Sequence, residues 1–432
     1  MRMKFTRGTK LKIVGPASLA LIDGDIEVLG SKVRRRDRLS IPVAKSIIVN
    51  VLENSIIELS LGDGGKVEEI KEESVPYDWR EVTRRVLSRP KPLTVLVLGD
   101  VDSGKSAFSN YLLNNALLSG FKTVLIDTDL GQSEIGAPTT ISMTLLKRPI
   151  PSLSKAKMTT GFFVGSTSPE GLIHRVLMGV KLLHEEACSL NPDIIIINTD
   201  GWIDDWEAIE LKAGMIMLLR PNVIVAIEKK GELESIIKPF ELNPAIEIIR
   251  LIPLPGTRRR SLEERRIIRQ GMYRKYLVEG RIRTYYLDRI SLIYTSIGAS
   301  TPLSKSEESL LRNILGDKMN YVRWGGKTPH ELIIFVDRNL RLAEKELEEI
   351  REAFEGRRVK VIRKGLERGL IVGLLDEKGL LKGLGVLMEL DFTRNVIKVL
   401  TPVDEKVSMM AVGLMRLDEN LNETQKFKEL VL

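Results

Sequence analysis

The chain has 432 residues, is 43% hydrophobic and 29% charged, and carries a net charge of +8. That length holds more than one domain. No stretch stays apolar long enough to span a bilayer, and the N-terminal MRMKFTRGTK lacks the apolar core of a signal peptide, so an intracellular protein without membrane association is expected. The positive charge favours an anionic partner.

The single cysteine, Cys188, excludes an intrachain disulfide and a multi-cysteine zinc site. Its place near the end of a helix-period segment suggests a core filler.

Residues 1–75 read as β. Short apolar runs (11–14, 18–22, 26–29, 46–51 and 56–60) are punctuated by Gly15-Pro16, Asp23-Gly24, Gly30-Ser31 and Asp63-Gly64-Gly65, the spacing of a small sandwich or barrel. The basic run from Lys32 to Arg38 reads as a solvated hairpin tip, with a nucleotide or nucleic-acid contact as the alternative. A polar linker carrying Pro76 follows, then a helix over 78–87.

The stretch 93–132 is the most informative. An apolar strand ends at Gly99, and Gly99-Asp100-Val101-Asp102-Ser103-Gly104-Lys105-Ser106 fits G-x-x-x-x-G-K-[ST] at every fixed position. A helix-period segment follows, with Phe108, Leu112 and Ala116 on one stripe. In this strand–loop–helix context the backbone N–H groups cradle phosphate oxygens at a helix N-terminus. Lys105 reaches the β- and γ-phosphates and Ser106 can ligate magnesium. A second strand ends in Asp127-Thr128-Asp129. A carboxylate there organises magnesium or takes a proton from an attacking hydroxyl. Asp129 is the preferred base, and Asp127 the preferred organiser of magnesium-bound water.

Strands expected at 161–164, 194–198 and 223–228 alternate with helices over 170–190 and 206–218. This implies a mostly parallel sheet covered on both faces, with ligands beyond the carboxyl ends of its strands. Asn198-Thr199-Asp200-Gly201-Trp202 falls at such an end. Trp202 can stack on a base, whereas Trp206, one helical turn on, reads as a packing residue.

Residues 256–283 hold nine arginines and one lysine. Arg258, Arg259, Arg260, Arg265, Arg266 and Arg269 form a cluster that Glu263 and Glu264 are too few to neutralise. Such a cluster suits a phosphate-facing lid that supplies charge and excludes water. Residues 284–432 return to mixed β with one strong amphipathic helix over 340–356. His174, His184 and His330 lack metal-ligand spacing.

Together these residues resemble the polynucleotide 5′-hydroxyl kinase family, whose eukaryotic members act in pre-mRNA cleavage, tRNA splicing and ribosomal RNA processing and which includes archaeal chains of this size. The resemblance rests on Gly99 to Ser106, on Asp127-Thr128-Asp129-Leu130-Gly131-Gln132 as D-x-D-x-G-Q, and on the 198–202 motif as the family's clasp. It implies an α/β P-loop NTPase domain (76–283), flanked by an N-terminal β domain (1–75) and a β-rich C-terminal domain (284–432). It implies ATP or another nucleoside triphosphate, and magnesium held by Ser106, Asp127 and Asp129. Gln132 would then sit near the transferring group, Thr199 and Trp202 would clasp the terminal nucleotide, and Arg260 and Arg265 would be the lid pair. Asp100 departs from the proline common at its position, and is tolerable if it points to solvent. The implied acceptor is the 5′-hydroxyl of RNA, or of DNA, with RNA-processing proteins as partners. Two rival readings stay open: a non-catalytic nucleotide-binding subunit, and a P-loop ATPase or GTPase switch.

Overall fold

The computed structural model describes residues 1–253 and 259–432. They divide into two compact units, Met1–Met272 and Tyr273–Leu432.

In the first unit, the short apolar runs near the N-terminus become two antiparallel sheets. One orders Arg2–Phe5, Ser55–Leu61, Ala17–Asp23 and Arg38–Ile41; the other orders Ser31–Lys32, Ile26–Val28, Ser46–Val51, Lys10–Val14 and Lys66–Glu69. Their alternating apolar residues, among them Leu11, Ile13, Leu19, Val49 and Ile57, meet in one core, as a sandwich requires. The basic run lies exposed at the edge, where Lys32 pairs with Asp25 and Arg35 with Asp23, each at 2.7 Å.

Helix α1 (Tyr77–Leu87) leads into a seven-stranded sheet. Its strands are β1 (Leu93–Gly99), β2 (Thr123–Asp127), β3 (Thr140–Leu146), β4 (Thr160–Phe163), β5 (Ile194–Asn198), β6 (Val223–Ile227) and β7 (Glu247–Leu251). The spatial order is β4-β3-β2-β5-β1-β6-β7. The five strands from β2 to β7 in that order are parallel, and β3 and β4 extend the sheet antiparallel at one edge. The central strands β1, β2, β5 and β6 are almost wholly buried, which is why they read as unbroken apolar runs. The sequence reading missed β3 and β7. Thr140–Leu146 interleaves Thr and Ser with apolar residues, and β7 is an edge strand carrying Glu247 and Arg250, so neither gives the apolar-run signal.

The covering helices are α2 (Lys105–Leu118), α3 (Ile173–Ser189) and α4 (Trp206–Leu219). Phe108, Leu112, Leu113 and Ala116 of α2 enter the core, with Trp79 of α1 edge-on to Phe108 at 5.3 Å between ring centres. The sandwich is tied to α2 by Asn114. Its amide donates to Leu29 O at 2.8 Å and Ile150 O at 2.9 Å, and its carbonyl accepts from Ile150 N at 2.9 Å.

Two packing expectations fail. Cys188 is exposed, because the buried stripe of α3 runs through Val176, Val180, Leu183 and Ala187 and Cys188 lies one step past it. Trp206 is 76% exposed, since the inward face of α4 is Ala208, Leu211, Lys212, Met215, Ile216 and Leu219 and Trp206 lies on the opposite side.

The last helix of the region, α5 (Leu262–Leu277), carries Arg265, Arg266 and Arg269 of the arginine cluster, and Arg259 and Arg260 precede it. Arg258 lies outside the described residues.

The second unit holds a sheet ordered Arg281–Tyr286, Val396–Thr401, Leu381–Asp391, Leu370–Leu375, Met409–Leu417 and Ser291–Ile293, with Glu423–Lys426 added on Met409–Leu417. A four-stranded sheet orders Thr301–Pro302, Val322–Lys327, Glu331–Val336 and Arg358–Arg363. It carries the expected helix as Glu344–Ala353 and a second, Lys305–Leu315, whose capping box of Ser304 and Glu307 is legible in the sequence but was not read there. No helix among the described residues is long and apolar enough to cross a membrane.

Candidate phosphate-transfer site

The carboxyl ends of β1, β2 and β5 gather three loops. The first is the turn from Gly99 to Lys105. Asp102 and Gly104 take positive φ (57° and 100°), and Gly104 caps α2, so the chain reverses tightly into the helix N-terminus. Ser103 Oγ is buried without a partner. Lys105 is 7% exposed and folds back on the turn, donating to Gly99 O at 2.9 Å and Asp100 O at 2.7 Å. Burial is the main reason its pKa falls from 10.5 to about 8, against the raising effect of Asp129 and Asp200. Asp100 does not simply face solvent: its carboxylate accepts from Val101 N and pairs with Arg259 at 3.1 Å, which offsets its charge beside the loop.

The second loop follows β2. Asp127 is fully buried. Its Oδ2 accepts from Glu134 N at 2.7 Å and Ser133 Oγ at 3.2 Å, and its Oδ1 accepts from Asn198 Nδ2 at 3.0 Å. Burial, with the nearby Asp129, raises its pKa to about 7. Asn198 Nδ2 also reaches Ser106 Oγ at 3.3 Å, so Ser106, Asn198 and Asp127 form one string between the strand ends. Asp129 is half-buried. Its Oδ1 takes the N–H groups of Gly131 (3.0 Å) and Gln132 (2.8 Å). Burial and the charge of Asp200 push its pKa up, while Lys105 pulls it down.

The third loop follows β5. The Thr199 hydroxyl is buried and donates to Val97 O at 2.8 Å. Its hydrogen is given to the sheet, and its oxygen keeps acceptor capacity. Trp202 is half-buried; its indole N–H donates to Asp205 Oδ2 at 2.7 Å, and Asp205 Oδ1 caps α4 through Ala208 N at 2.9 Å.

The arginines close the arrangement. Asp102 Oδ2 accepts from Arg260 N at 2.9 Å and Arg265 Nη2 at 3.1 Å, and Asp102 Oδ1 lies 3.5 Å from Arg260 Nη1. Gln132 Nε2 donates to Arg265 O at 3.3 Å, while Gln132 Oε1 and Arg265 Nε are buried without partners. Buried polar atoms without partners are uncommon in folded proteins. Three of them here (on Ser103, Gln132 and Arg265) mark a place suited to a polar ligand.

Thus Asp129, Arg260 and Arg265 are joined by contact or by charge to the phosphate loop that carries Lys105, and Gln132 reaches it only through Arg265. Three features escaped the sequence reading. Arg260 Nε donates to Ala44 O at 3.1 Å, and Lys45 pairs with Glu134 at 2.6 Å, so a sandwich turn reaches both the arginine segment and the second loop. Nothing local in the sequence signals those contacts. The third, Lys212, had a signal: a lysine at a position where the period of α4 demands an apolar residue.

Parallel sheet, phosphate loop and adjoining carboxylates define a P-loop NTPase domain. The family model described as the mRNA cleavage and polyadenylation factor CLP1 P-loop matches residues 99–279. The chain is 31% identical over 353 residues to the polyribonucleotide 5′-hydroxyl-kinase of Methanocaldococcus jannaschii, covering 81% of this chain and 94% of that one. It is 32% identical over 361 residues to the polyribonucleotide 5′-hydroxyl-kinase of Pyrococcus furiosus, with the same two shares. The chain belongs to this polynucleotide kinase family. Clp1p, solved in a wild-type Clp1p–Pcf11p complex, shares the fold across 96% of this chain and 97% of its own, with a TM-score of 0.63 at 14% identity.

Proposed function

We propose that the protein is an ATP-dependent kinase that transfers the γ-phosphate to the 5′-hydroxyl of RNA, with DNA as a second acceptor. The observation that carries this reading is the grouping of Lys105, Asp129 and the Arg260–Arg265 pair around the phosphate loop. A nucleotide switch needs the first but not a base and two guanidinium groups beside it. Membership of a family whose relatives are named for this activity supports it.

In the proposed reaction, Asp129 accepts the 5′-hydroxyl proton, for which a raised pKa suits it. The hydroxyl oxygen bonds the γ-phosphorus, the bond to the β–γ bridging oxygen breaks, and ADP leaves. Lys105 and the lid arginines hold the equatorial oxygens. Asp102, by accepting from Arg260 N and Arg265 Nη2, keeps both arginines beside the phosphate loop. Gln132, tied to Arg265, lies beside the moving group, and Trp202 offers the terminal nucleotide a stacking surface.

The hard oxygen donors Ser106, Asp127 and Asp129 fit magnesium, which would supply charge neutralisation between the phosphates. The sandwich (1–75), the P-loop domain (76–283) and the remainder (284–432) would be its three working parts.

Incubation with γ-labelled ATP, magnesium and 5′-hydroxyl RNA or DNA oligonucleotides tests the proposal. Label should move to RNA, and Lys105→Ala should abolish the transfer. ATP hydrolysis without transfer, or ATP binding without turnover, would contradict it in favour of a switch or a scaffold.

A further inference from the structure

The reaction outlined above makes no use of one completely buried charge near the site. Lys212 of α4 is completely buried, and its Nζ lies 2.6 Å from Oδ2 of Asp200, itself 6% exposed. An apolar pair of similar volume in such a place is often at least as stable, so fold stability alone is a weak reason for the ion pair. Its geometry suggests another. The second oxygen of Asp200 accepts the backbone N–H of Trp202 at 2.8 Å. Gly201, between them, lies so close to the phosphate loop that a Cβ there would stand 2.5 Å from both N and Cα of Val101. The pair therefore fixes a loop that touches the phosphate cradle at Gly201 and carries Trp202 as its next residue.

We propose that Lys212 is a positioning residue for the acceptor. By holding Asp200 it sets the Trp202 loop, and so the seat of the 5′-terminal nucleotide, relative to the phosphate loop. This rests on the kinase reading. Lys212 touches neither substrate. Lys212 makes none of the hydrogen bonds named within the phosphate loop, and it acts on Lys105 only through charge at a distance, so its loss should fall more on the acceptor than on ATP.

Lys212→Met leaves the Asp200 carboxylate buried without its counter-charge. The expected result is a rise of about tenfold in KM for a 5′-hydroxyl RNA, with KM for ATP changed less than about threefold. Asp200→Asn combined with Lys212→Met removes both charges and keeps the carbonyl that receives Trp202 N–H, so it should bring the acceptor KM back towards the wild-type value. An unchanged acceptor KM, equal rises in both KM values, or no recovery in the double variant would overturn the proposal. Should Lys212→Met fail to fold, Asp200→Asn alone carries the test. It replaces the ion pair by a neutral amide whose oxygen can still accept from Lys212 Nζ or from Trp202 N–H, and an unchanged acceptor KM in that variant overturns the proposal equally. The wild-type protein in the same assay separates the two claims. If it does not phosphorylate RNA the kinase reading fails, whereas if it does and the variants show no split between the KM values, only the role of Lys212 fails.

Discussion

Lys105 shows how one side chain can be poised by what is missing around it. It is buried against two carbonyl groups of its own loop, and burial lowers its pKa from 10.5 to about 8. A lowered lysine pKa costs folding stability while the group is charged, and that cost fades as pH rises from about 8 towards the unfolded value. A bound triphosphate would reverse the shift by favouring the charged form. At pH 8.5, ATP binding should therefore draw in a fraction of a proton, measurable by calorimetry in buffers of different ionisation enthalpy. Lys105→Ala should remove the uptake. Binding with no net proton uptake would show that Lys105 does not meet the phosphates. Lys105 and Ser106 stand out in the sequence because a phosphate loop ties those residue types to a fixed length, and Asp127 and Asp129 because they close an apolar strand. The sequence did not reveal that Asp102 bridges Arg260 and Arg265, because that contact joins residues about 160 positions apart.

Among the elements, legibility followed burial. The core strands β1, β2, β5 and β6 are apolar without interruption and were read directly, while β3 and β7, with mixed composition at or near the sheet edges, were not. Trp206, an aromatic residue at the start of α4, runs against the packing expected of it. The stripe through Ala208, Leu211, Met215 and Ile216 places it outward. Asn114 belongs to the same scale. It satisfies three backbone groups where the sandwich, α2 and the segment after β3 meet. Asn114→Ala leaves those groups buried without partners and should destabilise the protein by about 3 kcal/mol, seen as a lower midpoint in denaturant unfolding. A change below about 0.5 kcal/mol, the range of an ordinary surface substitution, would show that the joint is held by something else.

For the whole molecule, every hydrogen bond and ion pair named at the phosphate site lies within Met1–Met272. A chain ended after Glu279, which keeps α5 intact, should bind ATP within about threefold of the full-length protein, a difference of under 1 kcal/mol. A folded fragment that no longer binds ATP would place an essential group in the second unit. No catalytic constellation was legible in that unit's sequence, and the contacts named at the site involve none of its residues. The claim on which the account turns is that Asp129 acts on the acceptor while the phosphate loop holds the donor. Its most direct test is single-turnover transfer from pre-bound ATP to 5′-hydroxyl RNA in Asp129→Asn. A fall in transfer of about 100-fold or more, with ATP still bound, is the predicted result. Transfer at the wild-type rate would contradict it.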